Sequence, residues 1–186
     1  MITVISGLPR SGTSMMMSML QAGGMEILTD RIREADEDNL RGYMEYERVK
    51  QLDRDDSWLE EAEGKAVKII SMLLRHLPSK YNYRIIFMMR DISEVLASQR
   101  RMMERRGEQP DNIPDETMAA LYRKHLGEVQ EWMKRQPNVQ TLYVDYNGTL
   151  KDPWPTVRSV NEFLGDGMDQ DAMVNVVSPE LYRQRK

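Results

Sequence analysis

The sequence predicts a three-layer α/β fold, a central and mainly parallel sheet covered by helices on both faces. Three observations lead there. Apolar runs of strand length at residues 2–6, 66–70, 83–89 and 139–144 alternate with stretches whose apolar residues recur at helical spacing. The run Tyr83-Arg84-Ile85-Ile86-Phe87-Met88-Met89 is nearly continuous rather than alternating, as suits a strand buried on both faces. The first run passes through a glycine-bounded turn straight into a helical stretch, the order expected of a parallel crossover.

Taken in order, the strand at 2–6 leads through Gly7-Leu8-Pro9-Arg10-Ser11-Gly12-Thr13-Ser14 into a Met/Leu-rich helix over 15–21, broken by Gly23-Gly24. Residues 25–28 suit a short strand or an extended edge. The charge-dense stretch 30–41, which ends at Gly42, reads as a solvated loop above the carboxyl ends of the strands. Charge and apolar spacing predict a helix over 45–63 with Val49, Leu52 and Leu59 inward, and a brief helix over 72–77 that stops at Pro78. After the third strand, Asp91 or Ser93 caps a helix over 93–106, with Val95, Leu96, Met102 and Met103 as apolar positions. Residues 107–114 form a loop by composition. Met118, Leu121, Tyr122, Leu126, Val129, Trp132 and Met133 mark an amphipathic helix over 115–136. The fourth strand at 139–144 precedes a helix over 153–164, opened by Pro153 and Pro155.

At 186 residues the chain is expected to form one domain, 1–186, large enough for a substantial core. Its 30 acidic and 26 basic residues give a net charge of −4, which offers no support for a nucleic-acid or membrane-surface binder. The absence of cysteine excludes disulfides and thiolate metal sites, and two histidines argue against a dedicated metal centre. The N-terminus lacks a basic-then-apolar leader, and no apolar run approaches the roughly 20 residues of a membrane span; a cytoplasmic protein is expected. The 16 methionines read as core filler.

Gly7 and Gly12 have the spacing of the nucleotide-binding pattern G-x-x-x-x-G-K-[ST], but Thr13 stands where the lysine belongs. That lysine neutralises the β- and γ-phosphates of a nucleoside triphosphate, so its loss argues against an ordinary NTPase. The positive charge sits instead at Arg10. What the loop keeps is an anion cradle: converging backbone N–H groups and the roughly half positive charge of a helix N-terminus.

The segment Pro9-Arg10-Ser11-Gly12-Thr13-Ser14 resembles the 5′-phosphosulfate loop of sulfotransferases that use 3′-phosphoadenosine 5′-phosphosulfate (PAPS), where it reads Pro-Lys/Arg-Ser-Gly-Thr-Thr/Ser. A second likeness follows the third strand. Arg90, with Ser98 eight residues later, resembles the family's 3′-phosphate motif, in which a guanidinium supplies charge-assisted bonds and a helical hydroxyl a neutral donor. A third runs from Leu142 to Pro153 and from Val160 to Gly165, similar to the family's Tyr-Glu-Asp-Leu, Asp-Pro and Phe-Leu-Gly series, with Asn147-Gly148 in place of Glu-Asp. The resemblance implies a P-loop fold, PAPS as sulfuryl donor, adenosine 3′,5′-bisphosphate as product, and metal-free in-line transfer to a hydroxyl or amine. It places the donor on Pro9, Arg10, Ser11, Gly12, Thr13, Ser14, Arg90 and Ser98, with Arg10 the main stabiliser of charge on the leaving phosphate.

The acceptor's proton needs a base. Cytosolic members carry a histidine in a Thr-His-Leu-Pro context, and this chain has Arg75-His76-Leu77-Pro78. Other branches use a carboxylate soon after the loop helix. Asp30, twenty residues past Arg10, matches that position and is the first choice, with Glu45 and Glu47 as further candidates. His125 reads as structural, and Arg183, Arg185 and Lys186 fall where the family has a late basic loop. Two other classes stay open: a small-molecule kinase with Asp91 holding magnesium, and a non-catalytic nucleotide-binding or interaction protein. The expected acceptor is a small molecule such as a carbohydrate or metabolite, met by residues 25–63 and 107–114.

Overall fold

The computed structural model describes residues 1–30, 44–108 and 113–177. Its centre is a four-stranded sheet, β1 (Ile2–Gly7), β2 (Ala66–Lys68), β3 (Tyr83–Met89) and β4 (Val139–Asp145), in the order β2-β1-β3-β4 with every pair parallel. Val4 lies opposite Val67 on one side and Ile85 on the other, and Ile85 lies opposite Thr141. All six residues of β1 are buried, which a central strand with helices on both faces requires.

The two-residue alternation along the strands sorts the core into two halves. Val4, Val67, Ile85 and Phe87 face α2 (Ile92–Arg105) and α3 (Asp115–Arg135), packing with Val95, Leu126, Val129 and Met133, and with Trp58 and Leu59. Ile5, Ala66, Ile86 and Val144 face α1 (Thr13–Ala22), α4 (Tyr146–Lys151), α5 (Pro153–Leu164) and α6 (Gln170–Val176). This is the three-layer architecture expected. On the second face Met16, Met17 and Met19 of α1 are fully buried against Val157, Val160 and Met173, so these methionines do fill core gaps; truncating one to Ala would cost about 2–5 kcal/mol.

Several elements depart from expectation. The helix over 45–63 is instead two short 3-10 helices, Glu47–Gln51 and Ser57–Glu60. Between them Asp55 accepts the Ser57 N–H and the Arg48 guanidinium, side-chain bonds that compete with a continuous helix. Val49, Leu52 and Leu59 are nonetheless inward. The stretch before Pro78 is a 3-10 helix, Ser71–His76, and β2 ends at Lys68, two residues early. Helices α4 and α6 were not foreseen. Each is one to two turns long and capped by an aspartate, Asp145 accepting from the Asn147 and Gly148 N–H groups and Asp169 from that of Ala172. Residues 25–28 form the extended edge, with an isolated bridge from Ile27 to Ala66. Residues 31–41 of the charged stretch, part of the 107–114 loop, and Arg183, Arg185 and Lys186 lie outside the described residues. Among the described residues no helix is long and apolar enough to cross a membrane.

Candidate active site at the carboxyl ends of the strands

Because all four strands run the same way, their carboxyl ends meet at one rim of the sheet. The turn from β1 into α1 forms the cradle. Gly7 has φ +148° and Gly12 φ +98°, and both are pressed: a Cβ on Gly7 would lie 2.4 Å from Ser11 Oγ and 2.7 Å from the Met88 carbonyl oxygen, and one on Gly12 would lie 2.2 Å from the Tyr146 ring. Arg10 itself takes a left-handed φ of 70°, a costly conformation for a residue with a side chain. Ser11 is buried, and its hydroxyl has no hydrogen-bond partner among the described residues. The first N–H groups of α1, from Thr13 on, have no intrahelical acceptor. Glycine packing, an unsatisfied buried hydroxyl and free helix N–H groups together fit a bound anion.

Arg10 of the loop meets Arg90 and Ser98 at this rim. Arg10 Nε donates to Ser98 Oγ at 3.0 Å, and Arg90 Nη1 donates to the Arg10 carbonyl at 3.0 Å. Arg90 leaves the end of β3; its side chain, 6% exposed, pairs with Glu94 one helical turn on, Nε to Oε2 at 3.0 Å. The other Glu94 oxygen accepts from Asn147 Nδ2 at 2.9 Å. Tyr146 lies between the two anchors. Its ring meets the Gly12 backbone on one side and carries the Arg90 guanidinium 4.5 Å from its centroid. Burial raises the Tyr146 hydroxyl pKa above the ordinary tyrosine value, partly offset by Arg90 and Arg10.

A further cation completes the rim. Lys68 ends β2 with its side chain 8% exposed, its Nζ 3.3 Å from Ser14 Oγ and 3.6 Å from Glu45 Oε1. Sequence reasoning passed over it. The available signal was a lone charge near the end of the apolar run Ala66-Val67-Lys68-Ile69-Ile70, where a lysine is tolerated only if it is paired.

The candidate bases separate. Glu45 is the one drawn to the cradle, through Lys68. Asp30 sits beside it but turns its carboxylate to the Glu47 N–H, while its own N–H donates to the Glu45 carbonyl at 3.2 Å. Glu47 is exposed and pairs with Lys50. His76 is exposed at the end of its 3-10 helix, and its side chain makes no hydrogen bond or ion pair among the described residues. His125, the histidine read as structural, meets buried Ser71 through Nε2 at 2.9 Å. Asp91 caps α2, accepting from the Ser93 and Glu94 N–H groups. No cluster of His, Asp or Glu suited to a metal occurs among the described residues.

Comparison with known proteins bears on the family and the fold. The chain matches the model of the sulfotransferase domain over residues 2–182. Among solved structures it is similar to a sulfotransferase domain from the curacin biosynthetic pathway, at 13% identity and TM-score 0.54, covering 95% of this chain and 77% of that one. It is also similar to a retinol dehydratase in complex with androsterone and the inactive cofactor PAP (14%, TM-score 0.51, 94% and 62%). A mouse sulfotransferase complexed with PAP compares at 16% and TM-score 0.54, with 95% and 62% covered. The chain thus spans about three-quarters of the first structure's length and less than two-thirds of the other two. At these identities the structural likeness speaks for the fold. No curated protein matches by sequence. With the domain model covering nearly the whole chain, and a parallel sheet whose β1 loop and β3 arginine converge, this chain belongs to the sulfotransferase domain family.

Proposed function

We propose that residues 1–186 act as one domain that transfers a sulfuryl group from PAPS to a hydroxyl or amine of a small-molecule acceptor, without a metal. When bound, the donor supplies the sulfuryl group and a phosphate leaving group. The new S–O or S–N bond forms at the acceptor as the S–O bond to the 5′-phosphate breaks, releasing adenosine 3′,5′-bisphosphate. One observation carries the reading: the Arg10 carbonyl receives Arg90 while the Arg10 side chain reaches Ser98, so the loop suited to a 5′-phosphate and the pair suited to a 3′-phosphate are contiguous.

The protein groups divide the work. Thr13, Ser14 and the α1 N–H groups offer donors at the 5′ end, and Arg10 and Lys68 offset the negative charge that grows on the leaving oxygen. Arg90 and Ser98 hold the 3′-phosphate. Glu45, kept near the cradle by Lys68, takes the acceptor's proton. Asp30 supports Glu45 through the backbone.

Calorimetry with adenosine 3′,5′-bisphosphate, ADP and ATP tests the donor assignment. Tight binding of the bisphosphate without magnesium supports it. Magnesium-dependent ATP binding replaces it with the kinase reading, and binding of none of the three replaces it with a non-catalytic role. A screen of carbohydrates and small metabolites with labelled donor then identifies the acceptor.

A further inference from the structure

The rim holds a buried carboxylate where an anion site has little use for one. Glu94 is 5% exposed and lies within 3.0 Å of Arg90, the cation that would receive a 3′-phosphate. By charge alone it should weaken phosphate binding. Its placement suggests another role. Its two oxygens are divided, Oε2 accepting from Arg90 Nε and Oε1 from Asn147 Nδ2, so the carboxylate is fixed from both β3 and the start of α4. Arg90 is then held on three sides: Glu94 at Nε, the Arg10 carbonyl at Nη1 and the Tyr146 ring across its face. Its Nη2 is left without a partner among the described residues. A guanidinium locked in this way loses little conformational freedom when it meets a phosphate, and it presents a fixed fork rather than a mobile charge.

We propose that Glu94 and Asn147 are positioning residues for Arg90 and set this site's selectivity for a nucleotide carrying a 3′-phosphate over one with a free 3′-hydroxyl. The proposal rests on the donor reading above. It also accounts for Asn147. A carboxylate here would face Glu94 at hydrogen-bonding distance and repel it, whereas the amide donates to it and keeps it aimed at Arg90. The asparagine is the partner a glutamate at position 94 needs.

The test measures binding of adenosine 3′,5′-bisphosphate and of adenosine 5′-monophosphate to the intact chain and to Glu94→Gln and Asn147→Asp. The ratio of the two affinities is the readout, since loss of folded protein lowers both affinities and leaves their ratio unchanged. Wild type is expected to prefer the bisphosphate at least 100-fold. Glu94→Gln keeps the shape but replaces one acceptor oxygen by a donor, and Asn147→Asp places a second negative charge against the first. Each should cut the ratio at least tenfold with monophosphate affinity within threefold of wild type. Glu94→Asp, which keeps the charge but shortens its reach, should fall between wild type and Glu94→Gln. An unchanged or increased ratio in Glu94→Gln, the result expected if Glu94 merely cancels charge, overturns the proposal. A wild-type ratio near one instead removes the donor reading, and the proposal with it.

Discussion

Arg10 and Ser98, 88 positions apart in sequence, are joined by a 3.0 Å hydrogen bond from Nε to Oγ. The arginine therefore lies over the seam between the β1 loop and α2, with its backbone in a left-handed conformation that only tight surroundings sustain. Arg10→Ala is expected to lower turnover about 10²–10³-fold, the range for loss of one donor to a developing oxyanion. Affinity for adenosine 3′,5′-bisphosphate should fall far less, because Arg90 and the loop amides remain. Steady-state kinetics with labelled donor, beside calorimetry, check the split, and equal losses in both would remove Arg10 from the role.

Gly12 tests whether the cradle and the Tyr146 platform are one unit. A methyl group there would sit 2.2 Å from the Tyr146 ring, on a backbone with φ +98°. Gly12→Ala should destabilise the fold by about 1–3 kcal/mol and abolish bisphosphate binding. Gly24→Ala is the control. Its φ is also positive, at +96°, but a Cβ there meets nothing within 4 Å. It should show the backbone penalty without the binding loss in thermal unfolding and calorimetry.

Two neighbouring carboxylates offer different outcomes. Glu45→Gln should lower turnover about 10²–10⁴-fold with bisphosphate affinity nearly unchanged, as loss of a general base would. Asp30→Asn should keep most of the activity, since an amide oxygen can still accept the Glu47 N–H. The opposite pattern in the same assay would return the base to Asp30.

His125 predicts a pH dependence of stability. Burial and the nearby Arg75 lower its pKa from 6.5, and Glu128 opposes them. The folded state thus prefers the neutral ring, which can share a proton with Ser71. Its contribution to stability is complete above about pH 6.5 and is lost as pH falls through the lower folded value. Thermal unfolding should show a smaller drop between pH 7.5 and 5.5 for His125→Gln than for wild type, and equal drops would contradict this.

Much of this molecule is legible in its residues because local and global preferences coincide there. β3 and α5 match their expected bounds, since an apolar run in one case and Asp152-Pro153 with Gly165 in the other leave little freedom. The sequence singled out Arg10, Arg90 and Ser98 from short local patterns, and the fold places them at one rim through the Arg10–Ser98 and Arg90–Arg10 bonds. Lys68, Glu94 and Asn147 were not singled out for the site: their contacts come from elements that adjoin only after folding, and a lone lysine or glutamate carries no sign of its partner. The region 45–63 misled because its spacing is helical while Asp55 and Ser57 satisfy backbone and arginine groups locally.

Thr29 and Asp30 both clasp Glu45 at its carbonyl oxygen, the first through its hydroxyl at 2.9 Å and the second through its N–H at 3.2 Å. These two bonds form one junction at the Glu45 backbone, which leaves the Glu45 carboxylate to meet Lys68. On the proposed assignment of Glu45 as base, exchange of the residues between Asp30 and Glu45 is expected to leave its carboxylate in register with Lys68.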